Sequence, residues 1–225
     1  MNSPDLIDID RDNKTMSDYE LVEEFYLLPT AAGAFYAVSG REDEPIRRLM
    51  LVLLKQESSL QVNLESLCNW LEISDQQQAL EILHRAQTLS LVQGFREPQQ
   101  ISESGIGQQL QNILPHLSSI GKALLVDWNG LSLVHCGIDN DTADMLSALS
   151  ADLISVQTRH AERLQDNLGL ATQGWGAIDA YGSSRVGAWP LYIGDEHFML
   201  VLLGEPRMNS AEFISLVWVL INRYS

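Results

Sequence analysis

The stretch KALLVDWNGLSLVHCGIDND, residues 122–141, constrains the fold more than any other part of the chain. Ala123, Leu124, Leu125 and Val126 make a short apolar run that reads as a buried strand. Asn129-Gly130 follows, a dipeptide that tolerates positive φ and closes tight hairpins. After the turn, alternation places Leu131, Leu133, His135 and Gly137 on one face and Ser132, Val134 and Cys136 on the other. Both faces of the hairpin are therefore partly apolar, as in a sheet covered on both sides. Asp139, Asn140 and Asp141 then supply a cap and negative charge for a helix start. Strands and helices in one core make this an α+β chain.

The helix is expected from about Asp141 to Gln165. On a helical wheel Met145, Leu146, Leu149, Leu153, Ile154, Val156, Ala161 and Leu164 span an arc of about 180°, against about 100° for packing on a sheet alone. The surplus width implies a second contact, such as a partner helix. Past Gly169 the pattern predicts three strands: Trp175–Tyr181, Arg185–Gly194 and His197–Gly204, the last apolar enough for a central position. A final helix is expected from Ser210, with Asn209 as cap and Glu212 at capping-box spacing. Its FISLVWVLINRY is apolar almost all round and must be covered on more than one side.

Ahead of the hairpin, GQQLQNILPHLSSIG reads as a short helix interrupted at Pro115. The C-terminal order is then helix, strand, strand, long helix, strand, strand, strand, helix. With GKALLVDWNGLSLVHCG, the helix beginning DTADMLSALSADL, and HFMLVLLG before a last helix, it resembles the roadblock/dynein light chain family, a profilin-like fold, over residues 108–225. The resemblance implies an antiparallel five-stranded sheet with helices on both faces and no catalytic residues. It also implies a homodimer formed by the middle helix and the strand after it, joining two sheets, and a small GTPase or other NTPase as the regulated partner. Carried over, the dimer surface falls on Met145, Ala148, Leu149, Asp152, Val156 and Arg159 of the helix and on Trp175, Ala177 and Asp179 of the strand. The long N-terminal half departs from the simplest members of the family.

In that half, residues 1–24 are polar, acidic and aperiodic and read as a mobile tail. DIDRDN (Asp8, Asp10, Asp12) imitates a calcium loop, but Asn13 stands where glycine is needed and Tyr19 where the bidentate Glu is needed. FYLLPTAAGAFYAVSG, residues 25–40, is expected as a short strand or packed arm. Three helical patterns follow. EPIRRLMLVLLK has Pro45 in its first turn and Ile46, Leu49, Met50, Leu53 and Leu54 on one stripe. NLESLCNWLEIS has Asn63 as cap, with Leu64, Leu67, Trp70 and Leu71 inside. SDQQQALEILHRAQTLSLV has Ser74 as cap with Gln77 at capping-box spacing, and Ala79, Leu80, Leu83, Ala86 and Leu89 inside. LVQGF then reads as a strand and glycine turn with another strand possible.

Leu64, Leu67, Trp70, Leu71, Ile73 and Ser74, then Leu80 and Leu83, closing on SLVQGF, resemble a winged helix-turn-helix domain within residues 44–96, and the domain is expected to span 25–97. Such domains read DNA with the third helix, here starting Asp75-Gln76-Gln77-Gln78, where Arg85 and His84 are the basic prospects. That composition favours protein contact, while glutamines keep adenine readout open. Residues 98–107 are expected to link the two halves.

Charge separates the function classes. Residues 1–120 carry 8 Lys and Arg against 18 Asp and Glu, and residues 121–225 carry 6 against 12. Two acidic halves are poor surfaces for phosphate backbones or anionic membranes. The densest basic spot, Arg47-Arg48, is flanked by Glu42, Asp43 and Glu44. Cys68 and Cys136 have no CxxC neighbour and read as buried apolar residues in a reducing cytoplasm. The N-terminus has no apolar core segment of a signal peptide, and no apolar run nears membrane-spanning length. GKA at 121–123 is not a P-loop, since His116 stands in place of the first Gly. GSSRVG at 182–187 is not a nucleophile elbow, and five scattered histidines form no HxH or HExxH. The expectation is a non-enzymatic homodimeric regulator or scaffold without cofactor or metal, cytoplasmic, with no membrane insertion. The alternative is a DNA-binding transcriptional regulator that dimerises or senses through the C-terminal half.

Overall fold

Ile7-Asp8-Ile9 and Tyr19-Glu20-Leu21 form two short strands, β1 (Ile7–Ile9) and β2 (Tyr19–Leu21), paired antiparallel with Ile7 opposite Leu21. They lie within the stretch read as a tail, and the correction has a simple cause: both triplets alternate with the period of two that suits a strand. The protein is seen here in a computed structural model that describes residues 7–9, 19–22, 24–100, 105–168 and 174–225. Asp10 and Asp12 of the calcium-loop comparison lie outside the described residues. The chain divides into two units, Met1–Ser102 with Ile221–Arg223 and Glu103–Leu220 with Tyr224–Ser225.

In the first unit, residues 25–40 are more than an arm. A strand, β3 (Tyr26–Pro29), leads directly into a helix, α1 (Ala31–Val38). Thr30 Oγ1 accepts from Gly33 N at 3.1 Å and donates to Ser90 O at 2.6 Å, so one hydroxyl caps the helix and fixes its start. The helix buries Ala31, Gly33, Ala34, Ala37 and Val38. In α2 (Pro45–Leu54), Leu49, Met50, Leu53 and Leu54 are buried. After β4 (Leu60–Gln61) comes α3 (Leu64–Leu71), where Asn63 accepts from Ser66 N at 2.8 Å as its spacing predicts. In α4 (Gln76–Thr88) the cap is Asp75 rather than Ser74, with Asp75 Oδ1 accepting from Gln77 N at 2.9 Å and Gln78 N at 3.3 Å. A carboxylate one position later satisfies two amide donors where the hydroxyl would meet one. Ala79, Leu80, Leu83 and Ala86 are buried, whereas Leu89 ends the helix and stands out in solvent. LVQGF is one unbroken strand, β5 (Val92–Phe95), and the sheet order is β4-β3-β5.

The second unit begins earlier than expected. Its first helix, α5 (Ile106–Ile113), starts inside the predicted linker, and Gln99 is also held, with its N–H donating to Ser59 Oγ at 2.8 Å. A 3₁₀ turn, Leu114–Leu117, follows at Pro115. Next are β6 (Ala123–Asp127), β7 (Ser132–Cys136), the long helix α6 (Asn140–Leu168), β8 (Trp175–Ile178), β9 (Ser184–Ile193), β10 (Glu196–Leu203) and α7 (Ala211–Tyr224). The five strands form one antiparallel sheet in the order β7-β6-β10-β9-β8. The apolar β10 is central, as its composition predicts.

Register separates the two faces. Val126 pairs with Met199, Leu124 with Val201 and Ala188 with Val201. These residues pack with Ala143, Leu146 and Ile154 of α6. Phe198 has the opposite parity, and its ring meets Tyr224 of α7 at 5.0 Å between centroids. Helices therefore cover both faces. The cap of α7 is Ser210, whose Oγ accepts from Phe213 N at 3.3 Å, rather than Asn209.

The turn between β6 and β7 is wider than two residues. Gly130 has φ +82°, Asn129 keeps a negative φ, and Asp127 N donates to Leu131 O at 3.0 Å. Asp127 Oδ1 accepts from Asn129 N and Leu131 N, both at 2.9 Å, so Asp127 holds the hairpin. Leu125 then faces Val134 while Val126 faces Ser132, which leaves Leu133 as the extra residue of a bulge. The simple alternation predicted for 131–137 breaks there.

Candidate interaction surface

Asp139 starts α6: its Oδ1 accepts from Thr142 N at 2.8 Å. That hydrogen bond holds the Asp139 carboxyl below its ordinary value. The helix turns Ala143, Leu146, Ser147, Ser150 and Ile154 toward the sheet. Ser150 Oγ donates back to Leu146 O at 2.7 Å, while Ser147 Oγ is buried with no partner among the described residues.

The opposite face carries the surplus. Met145 is 62% exposed, Leu149 46% and Val156 37%, on a helix that buries Ala143, Leu146 and Ile154. Ala148, Asp152 and Arg159 are exposed beside them. The spacing 145, 149, 152, 156, 159 follows one stripe along the helix. Leu153 is half-buried against the sheet cluster and Leu164 is half-buried further along; the side chain of Ala161 lies outside the described residues.

β8 is the next element and the edge of the sheet, hydrogen-bonded to β9 on one side only among the described strands. Trp175 pairs with Ala188 and sends its indole toward α6, where Nε1 donates to Gln157 Oε1 at 3.2 Å. Gly176, Ala177 and Ile178 are exposed, Ile178 at 69%. A register shift between Ala177 and Ile178 ends the regular ladder. Asp179 sits apart from this surface. Its Oδ1 accepts from Tyr181 N at 2.9 Å and Ser183 N at 3.0 Å, and Oδ2 meets Arg185 Nη2 at 2.8 Å. The Ser183 and Tyr181 amides, with Arg185, hold its carboxyl below the ordinary range. Asp179 is thus committed to the β8–β9 turn. The resemblance places it on the dimer strand with Trp175 and Ala177, but the strand stops at Ile178.

Ile178 and Tyr181, which is 94% exposed, did not stand out in the sequence. Their signal is visible in hindsight: a large apolar residue at the end of an edge strand, then an aromatic at a turn. Cys136 is half-buried, with Sγ donating to Gln111 O at 3.7 Å, and burial raises its thiol pKa. It is correspondingly poor as a nucleophile.

In the first unit, Gln76, Gln77, Gln78 and Arg85 are all on the solvent side of α4. Gln77 Oε1 nevertheless accepts from Tyr19 N at 3.4 Å, and the His84 ring lies 4.8 Å from that of Tyr19. The two arginines of the basic spot are engaged. Arg47 Nη1 meets Glu42 Oε2 at 2.7 Å and its guanidinium stacks over Tyr36. Arg48 bridges Asp43 at 2.7 Å and Glu72 at 3.2 Å. No group of three His, Cys, Asp or Glu among the described residues is placed to hold a metal, and no described helix is long and apolar enough to cross a membrane.

No family model matches the chain, and no curated protein does. Several solved structures are similar to part of it, three of which follow. A Roadblock/LC7 domain from Streptomyces avermitilis shares 16% identity, with 53% of this chain and 93% of that one covered, at a TM-score of 0.35. MglB of Myxococcus xanthus shares 15%, covering 54% and 95%, at 0.35. The gliding protein MglB from Thermus thermophilus shares 19%, covering 55% and 93%, at 0.34. At such identities and scores the similarity assigns neither activity nor partner.

Proposed function

We propose that the chain is a non-enzymatic homodimeric regulator or scaffold, whose second unit dimerises through α6 and β8 and presents the joined sheet to a small GTPase or other NTPase. The observation that carries the dimer is the exposed row Met145, Leu149 and Val156 together with a sheet edge, β8, that no other described strand pairs on its outer side. Two copies related by a two-fold axis would cover both features at once, since such an interface uses the same patch twice. The edge pairs with its copy and the apolar row packs against its copy. This reading gives catalysis no role: Asp139 and Asp179, the carboxylates at the start of α6 and after β8, are engaged in a cap and a turn. The nucleotide-driven partner rests on the resemblance of residues 108–225 to the roadblock family.

The first unit acts in this reading as a protein-contact module of winged-helix type. The engaged Arg47 and Arg48 and the acidic surroundings favour protein over nucleic acid.

Sedimentation equilibrium of the full chain at tens of micromolar tests the dimer; a strictly monomeric protein refutes it. Capture from native lysate with GDP or a non-hydrolysable GTP analogue tests the partner. A small GTPase recovered in one nucleotide state supports the reading, and recovery of DNA in its place removes it.

A further inference from the structure

Residues 19–22 lie on the face of α4 that a winged helix would present to its target. Tyr19 N–H donates to Gln77 Oε1 at 3.4 Å, and the Tyr19 and His84 rings are 4.8 Å apart, tilted by 31°. The strand alternates, with Tyr19 and Leu21 half-buried and Glu20 exposed. Leu64 of α3 and Leu80, Gln76 and Gln77 of α4 line one cleft together with Tyr19, Glu20, Leu21 and Val22, two apolar side chains and two amides facing the segment across it. A cleft of about 620 Å³ remains between the segment and the helices, so the fit is loose. The two contacts and the cleft describe one ligand chemistry: a side-chain amide that reads a peptide N–H, a ring that stacks an aromatic, and apolar lining on the side of the residue two places on.

We propose that the α3–α4 groove is a docking site for an extended peptide segment of the form aromatic–x–aliphatic–aliphatic, held in this chain by its own Tyr19-Glu20-Leu21-Val22. The segment acts as an internal pseudo-ligand that a partner protein must displace. The proposal deepens the protein-contact reading of the first unit and is independent of the dimer. A tethered segment competes at an effective concentration in the millimolar range, so an external peptide of equal intrinsic affinity is suppressed. The unfilled cleft leaves room for a partner segment that packs better than the resident one, which is how displacement would gain free energy.

The test uses the full-length chain, in wild-type form and as the double variant Tyr19→Ala, Leu21→Ala, with circular dichroism as a check on folding. The probe is a fluorescein-labelled synthetic peptide with the sequence of residues 17–25, followed by fluorescence polarisation. The open variant is expected to bind it at least tenfold more tightly than wild type. Adding Gln77→Ala and His84→Ala to the open variant should abolish that binding while the fold is kept. Equal binding by wild type and the open variant overturns the internal ligand. A folded open variant that binds no peptide overturns the groove. A folded open variant that binds duplex DNA in a salt-sensitive way overturns the peptide assignment and the protein-contact reading together.

Discussion

The indole Nε1 of Trp175 donates to Oε1 of Gln157 at 3.2 Å and ties the edge strand β8 to the helix α6. A short edge strand paired on one side has little else to hold it in register. Trp175→Phe keeps most of the aromatic area and removes the donor. It should cost about 1 kcal/mol, the usual net worth of one hydrogen bond. The measurement is amide hydrogen exchange at Gly176 and Ala177, which should quicken while exchange in β10 is unchanged. Uniform quickening across the sheet would show that Trp175 supports the whole unit and not only its edge.

Met145→Asp addresses the exposed row. Met145 is 62% exposed in the single chain, so the substitution leaves the unit's own core alone. In a two-fold interface it places two carboxylates near the axis without partners. The association constant should fall by at least about tenfold, or ~1.4 kcal/mol, with the melting temperature at low protein concentration unchanged. Sedimentation velocity and calorimetry decide it. A dimer that survives puts the contact elsewhere, and loss of fold makes Met145 a core residue.

Periodicity explains which elements were legible. The hairpin at 123–136, α6 and the central β10 each carry an apolar pattern over five residues or more, and each formed about where the pattern put it. The helix α1 did not declare itself, because AAGAFYAV buries small residues on several sides and leaves no amphipathic period to read. The pair β1–β2 was hidden by its acidic surroundings. On α6 the wheel shows an apolar arc wider than a sheet needs, but not that Met145, Leu149 and Val156 are the members left exposed while Leu146 and Ile154 are buried. The end of β8 was not legible, because nothing in a sequence says that a strand ends one residue before an aspartate that its turn needs.

Gly33 is a position where close approach, not φ, excludes a side chain. A Cβ there would run into the carbonyl oxygen of Leu91, which also accepts from Thr30 N at 3.0 Å. Backbone cannot step aside as a side chain can. Gly33→Ala should therefore destabilise by about 1–3 kcal/mol, the range for overpacked sites, despite alanine's better helix propensity. Gly107 of α5 is the control, with open space around its Cβ position. Gly107→Ala should be neutral or stabilising by up to about 1 kcal/mol. The denaturant midpoint should fall for Gly33→Ala and stay or rise for Gly107→Ala; a Gly33→Ala protein as stable as wild type would mean that α1 slides freely away from Leu91.

Acid should loosen the second unit at two defined places. Asp139 at the start of α6 and Asp179 in the β8–β9 turn both have carboxyls below their ordinary value of 3.8, chiefly because backbone amides donate to the ionised form. A depressed folded-state pKa means that the stabilisation is fully present above the unfolded value. It is lost as the pH falls past about 4 and on through the lower folded-state value. Asn in place of either residue keeps a side-chain carbonyl to accept from the same amides but cannot titrate. Asp139→Asn should preserve the helix start, since Asn caps as well as Asp, while flattening part of the stability slope below about pH 4. Asp179→Asn also breaks the ion pair to Arg185, so it should lower stability near neutrality as well as flatten the slope. Two-dimensional NMR followed through that titration reads both sites separately. The Thr142 amide should report Asp139, and the Ser183 amide should report Asp179. If either amide titrates at the ordinary carboxylate pKa, the hydrogen bond assigned to it does not hold the charge.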